Sequence, residues 1–166
     1  SIEINEGVLF HLNSPETPFA ELLLKILYHH ALVHPEFFSM PDLFERFLHF
    51  FDFCGPKAKN DHLKIIYMLI PHYPKELCNF IPFLIDNSDS FSYELLIKIC
   101  DIIILYMQEV NQQQEESQLL YSKTFDLFCR LLSSNENKIV LRILEILPAF
   151  EDINMELFYK LSESNS

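Results

Sequence analysis

The stretch "YHHALVHPE", residues 28–36, holds His29, His30, His34 and Glu36 within one short span. Imidazole nitrogens are common ligands for zinc, and His30 and His34 stand four residues apart, one helical turn. If the span is helical, those two rings share a face and could hold a divalent metal for hydrolytic chemistry. The H-E-x-x-H arrangement needs a glutamate directly after the first histidine as general base, and Ala31 stands there instead. No third ligand is placed by spacing. These histidines therefore read as solvated or core-edge residues, with a metal-dependent enzyme using His29, His30 and His34 as a minor alternative.

Nucleophilic chemistry has less support. Cys54 sits in "FDFCGP", without a basic neighbour to favour the thiolate. The adjacent pair Glu115-Glu116 lies in the polar stretch "NQQQEESQ", 111–118, which reads as a loop. The chain has only two glycines, Gly7 and Gly55, so it cannot supply a phosphate-cradling loop, a dinucleotide fingerprint or a nucleophile elbow. We expect no catalytic residue, no resident metal and no cofactor.

Scarce glycine also bears on architecture. A fold built on tight hairpins needs glycine at its turns, so helices joined by short polar links are favoured. Apolar residues make up 49% of the 166, including 16 Phe and 7 Tyr, enough for a substantial core and too many for disorder. The net charge of −12 argues against general binding to nucleic acid or to an anionic bilayer. The longest apolar run, "LLIKICDIIILYM" at 95–107, carries Lys98 and Asp101, which can pair three residues apart. It falls well short of the roughly 20 residues a membrane span needs.

Cys54, Cys78, Cys100 and Cys129 form no C-x-x-C pair and each has apolar helical neighbours. They read as small core residues of an intracellular, cytoplasmic or nuclear protein. No secretory signal is evident, and a start at Ser1 fits a piece of a longer protein.

Prolines, Asn/Asp/Ser clusters and apolar spacing mark eight helices: 18–34, 41–54, 57–72, 74–85, 91–110, 119–132, 138–150 and 153–161. Residues 1–16 read as a flexible N-terminal segment. The aromatic string "FLHFFDF", 47–53, reads as core because Phe47, Phe50 and Phe51 share a stripe. The expected domain is one helical unit over 1–166.

Two segments repeat. "KIIYMLIPHYPKELCNFIPFLIDN" at 64–87 aligns without a gap on "LRILEILPAFEDINMELFYKLSES" at 141–164, an offset of 77 residues. Pro71 meets Pro148, Leu69 meets Ile146, Tyr67 meets Leu144 and Tyr73 meets Phe150. Half that offset is near the period of helical-pair repeats. Proline at a helix end would turn the chain into a second helix, with Leu144 and Leu147 on the partner helix and Ile143 and Ile146 on the neighbouring pair.

This pattern resembles the HEAT-repeat family, near the armadillo repeats. The resemblance implies an all-α, right-handed solenoid of about four antiparallel hairpins. It also implies a scaffold or regulatory subunit that binds a partner protein or peptide along the second helix of each pair. Non-core positions there are Arg46, His49, Lys75, Asn79, Lys123, Arg130, Asn154 and Lys160. Basic residues recur among them, which suits an acidic or phosphorylated peptide. The alternative is a compact eight-helix domain of the VHS, ENTH or polymerase-tail-binding type, which would bind a short peptide or a lipid headgroup.

Overall fold

The protein is described by a computed structural model covering residues 6–8, 12, 19–110 and 114–164, with side chains in the last helix described to residue 156. It is all-α, and no strand occurs among the described residues. In chain order the helices are α1 (Ala20–Val33), α2 (Leu43–Phe50), α3 (Pro56–Leu69), α4 (Phe80–Asp86), α5 (Tyr93–Glu109), α6 (Gln114–Leu132) and α7 (Asn137–Ser164). Three 3₁₀ turns, Pro35–Ser39, Phe51–Phe53 and Ser88–Ser90, lie between them. The isoleucine-rich segment 102–104 lies in the middle of α5. The chain forms two compact units, Ser1–Glu76 and Leu77–Ser166.

In the first unit α1 packs on α3. Leu23, Leu24, Leu27 and Ala31 form the buried face of α1, and Ile65, Ile66 and Leu69 are buried on α3. Phe47, Phe50 and Phe51 are core, as the aromatic string suggested. The second helix is shorter than expected. Asp42 takes the left-handed backbone region at φ 66, which aspartate tolerates better than bulky residues, so α2 starts only at Leu43. Between α2 and α3, the Lys59 ammonium donates to the Cys54 carbonyl at 2.6 Å and stands 4.9 Å from the Phe51 ring centre.

The expected flexible N-terminal segment lies largely outside the described residues. Residues 6–8 are helical, and Val8 and Leu12 are buried.

In the second unit α7 packs on both α5 and α6, and α4 packs on both α5 and α6. Pro82 stands in the first turn of α4, where a missing N–H breaks no helical bond. Ser92 caps α5 by accepting from the Leu95 N–H. The polar stretch 111–118 is not all loop: residues 114–118 form the first turn and more of α6, and 111–113 lie outside the described residues.

The expected helices 138–150 and 153–161 are a single helix, α7, of 28 residues, which passes through Pro148. It spans about 42 Å at 1.5 Å per residue. A hairpin at this place is therefore corrected to a continuous rod. The reason lies three residues downstream of each proline. After Pro71 comes Pro74, which holds Tyr73 out of the helical region and supplies no N–H. Tyr73 is fixed there by its hydroxyl, which donates to the Pro35 carbonyl at 2.6 Å. The residue matching Pro74 is Glu151, which continues a helix readily. Pro148 is exposed, as is Leu144 four residues before it, so the proline stands on the outer side of the helix.

Pro148→Ala is consequently expected to raise stability by about 1–2 kcal/mol, a fraction of the roughly 3 kcal/mol that separates proline from alanine inside a helix. Chemical denaturation checks it. A turn at Pro148 would give no gain.

Candidate functional site

The histidine cluster is built by the end of α1. The helix stops at Val33, and His34 has φ −138 and ψ 68, so the one-turn spacing of His30 and His34 is not maintained. His34 Nδ1 lies 3.3 Å from Glu36 Oε1. The His30 ring stacks on Phe37, with centroids 4.0 Å apart and planes 10° from parallel. Burial, then the neighbouring His29 and His34, lower the His30 pKa. Among the described residues, no three His, Cys, Asp or Glu side chains come together in a group that could hold a metal ion.

His62 was not singled out by sequence, yet it is the most deeply placed polar side chain of the first unit. It is fully buried, its ring stacked on Phe47 at 4.1 Å and tilted against Phe51 at 5.2 Å, and its Nε2 is 2.7 Å from the Phe47 carbonyl. A carbonyl can only accept, so Nε2 carries the proton and donates. Phe47 belongs to the last turn of α2, where carbonyls lack helical donors, and His62 acts as a side-chain cap. Burial pushes its pKa down to about 3, so the ring is neutral at ordinary pH. This is a structural histidine and not a general acid or base.

The cysteines divide. Cys54 and Cys100 are buried, and burial pushes their thiols up to about 11 and about 12. Cys78 and Cys129 are exposed, which corrects their reading as core residues. Both lie on helical or turn surfaces whose apolar neighbours face inward, a matter of phase that composition cannot reveal.

The eight positions assigned to a binding surface are scattered in chemistry. Arg46 is half-buried, while His49 is exposed, 3.9 Å from Glu45. Lys75, Asn79 and Asn154 are exposed, and the Lys160 side chain lies outside the described residues. Lys123 donates to both carboxylate oxygens of Asp86, at 2.8 and 3.0 Å. Arg130 donates to Asp89 at 2.6 Å and to the Ser88 hydroxyl at 2.9 Å. These two cations hold α6 to the end of α4 and to the 3₁₀ turn that follows it, and are engaged within their own unit. Asp101, expected to pair with Lys98, receives two hydrogen bonds from Arg142, at 2.9 and 2.6 Å.

A different surface stands out on α1. Phe19, Leu22, Ile26, Tyr28, Leu32 and Val33 are 41–62% exposed, on the side opposite the buried leucines. A helix flanked by solvent normally carries polar residues there. The sequence did carry the signal: 19–33 is apolar around nearly the whole helix, and Phe19, Ile26 and Val33 recur every seven residues. The only charged residues on α1 are Glu21, 3.5 Å from Lys57, and Lys25.

Comparison with protein-family models, with curated proteins and with solved structures found no match. No described helix is long and apolar enough to cross a membrane.

Proposed function

We propose that this chain is a non-enzymatic protein-interaction module whose docking surface is the exposed apolar side of α1. The observation that carries the reading is the set Leu22, Ile26 and Val33, exposed on a helix whose other side is core. Apolar side chains displayed on a rigid helix release ordered water when a partner covers them.

The architectural part of the proposal is a HEAT-like solenoid. Its support is the burial phase shared by the two copies before their prolines: Ile66 and Ile143 are buried, Leu69 and Ile146 are buried, and Tyr67 and Leu144 are exposed. The continuous α7 favours the second reading, a compact helical domain of the VHS, ENTH or polymerase-tail-binding type that also binds peptides. A docking role for the second-helix cations with an acidic or phosphorylated peptide has less support, because Lys123 and Arg130 already have carboxylate partners.

The test is capture of proteins from a native extract by the wild-type chain, Leu22→Glu and Lys75→Glu. Loss of the same partner with Leu22→Glu, and its retention with Lys75→Glu, is expected. The reverse pattern would move the site to the charged surface. A partner lost in neither variant would place it elsewhere.

A further inference from the structure

The 28-residue helix α7 carries apolar side chains on two sides. Ile139, Ile143, Ile146 and Phe150 are buried. Leu141, Leu144, Pro148 and Met155 are exposed, and at 100° per residue they fall within an arc of about 60°. Their steps of three, four and seven residues are those by which one helix receives the side chains of another. At 1.5 Å per residue the stripe is about 21 Å long, the length of a guest helix of about four turns.

Charge selects the guest. From Ile143 to Glu156 the helix has four carboxylates, Glu145, Glu151, Asp152 and Glu156, and no lysine or arginine. Arg142 engages Glu145 at 2.7 Å. Among the described residues no cation pairs with Glu151, Asp152 or Glu156, and all three are exposed. By helical phase, Asp152 and Glu156 border the stripe on one side and Glu151 on the other. An acidic surface is repelled there. That disfavours a second copy of this chain, whose net charge is −12, and equally a nucleic acid or an anionic bilayer.

Glu151 also stands beside an aromatic shelf. The Tyr121 ring on α6 stacks on Phe150 at 4.6 Å and on Phe125 at 6.3 Å, and Phe125 is exposed. Burial, then the nearby Glu151 carboxylate, raise the Tyr121 pKa. A carboxylate next to aromatic rings suits an ammonium or a guanidinium, which is attracted by the charge and by the rings together.

We propose that the exposed stripe of α7 docks a basic amphipathic helix of a partner protein, with apolar side chains on Leu144, Pro148 and Met155 and lysines or arginines on Glu151, Asp152 and Glu156. This site lies wholly in the second unit, whereas the α1 surface belongs to the first.

A labelled synthetic peptide of about 14 residues tests it, with leucines at the a and d positions of two heptads and lysines elsewhere. A second peptide carries glutamate in place of every lysine. In anisotropy titrations the wild-type chain is expected to bind one lysine peptide saturably and to leave the glutamate peptide free. Glu151→Lys/Asp152→Lys should weaken binding roughly tenfold or more at low salt, and Leu144→Ser by a similar factor. Circular dichroism confirms that each variant is folded. Glu45→Lys/Glu76→Lys makes the same change in net charge at exposed positions of the first unit, and should weaken binding by no more than about twofold. Leu22→Glu should leave it unchanged. Equal weakening by the two double variants would mean attraction by overall charge only, and overturns the proposal. So does binding of the glutamate peptide, indifference to Leu144→Ser, or a lysine peptide that stays free. Loss with Leu22→Glu and not with Leu144→Ser would move the peptide to α1, which sustains the reading of α1 as a docking surface and overturns this one.

Discussion

Leu69→Ala is expected to destabilise the protein by about 2–5 kcal/mol, and Leu144→Ala by less than about 1 kcal/mol. Both leucines precede a proline in the repeated segments, and sequence reasoning puts both in the core. Leu69 is fully buried in the last turn of α3, so truncation removes its burial and leaves a cavity among Ile65, Ile66 and Ile70 side chains that are themselves inaccessible. Leu144 is 52% exposed, and water fills the space its methyl groups leave. In α7 the inward positions are Ile143 and Ile146, while Leu147 is only half-buried. The assignment of Leu144 and Leu147 to a partner helix is thus corrected by one helical step. Urea titration of both variants checks the contrast. Equal losses would mean that Leu144 is covered in solution, and a negligible loss at Leu69 would remove it from the core.

The second large effect is acid sensitivity through His62. Its folded pKa, about 3, lies below the ordinary histidine value of 6.5. Between those values the unfolded chain binds a proton that the folded chain refuses, so stability falls as pH falls. The contribution is complete above pH 6.5 and is lost progressively toward pH 3. At 1.36 kcal/mol per pH unit, about 2 kcal/mol should disappear between pH 7 and pH 5, and about 3 kcal/mol by pH 4. Carboxylates titrate in the same range, so the comparison is with His62→Gln, whose amide can still donate to the Phe47 carbonyl and does not ionise. The wild-type loss from pH 7 to pH 5 should exceed the variant's by about 2 kcal/mol. Parallel curves would show that the ring accepts a proton in place.

Much of the local structure follows from the sequence itself. Two glycines, regular apolar spacing and proline-marked boundaries were enough for an all-α chain, because helix formation depends on interactions within four residues. The aromatic stripe Phe47, Phe50 and Phe51 was legible for the same reason. The match of Pro71 with Pro148 was legible too, but not its consequence. A proline in a helix can end it or be carried, and the choice depends on what the next residues can hold onto. Tyr73 has Pro35 to bond, and Phe150 instead stacks on Tyr121 at 4.6 Å along an unbroken helix.

Which face of a helix is inside also depends on its neighbours in space. Leu22 and Leu23, or Ile143 and Leu144, are equivalent by composition, and packing alone leaves one of each pair in water. His62 and the carbonyl it caps lie 15 residues apart, and Arg130 and Asp89 lie 41 apart. No local pattern records either pair, because both exist only once helices have packed. The sequence by itself determined the helices and their apolar content. The tertiary structure decided which apolar residues were left over on α1, and a leftover apolar face is a property of packing, since it is defined by what does not cover it.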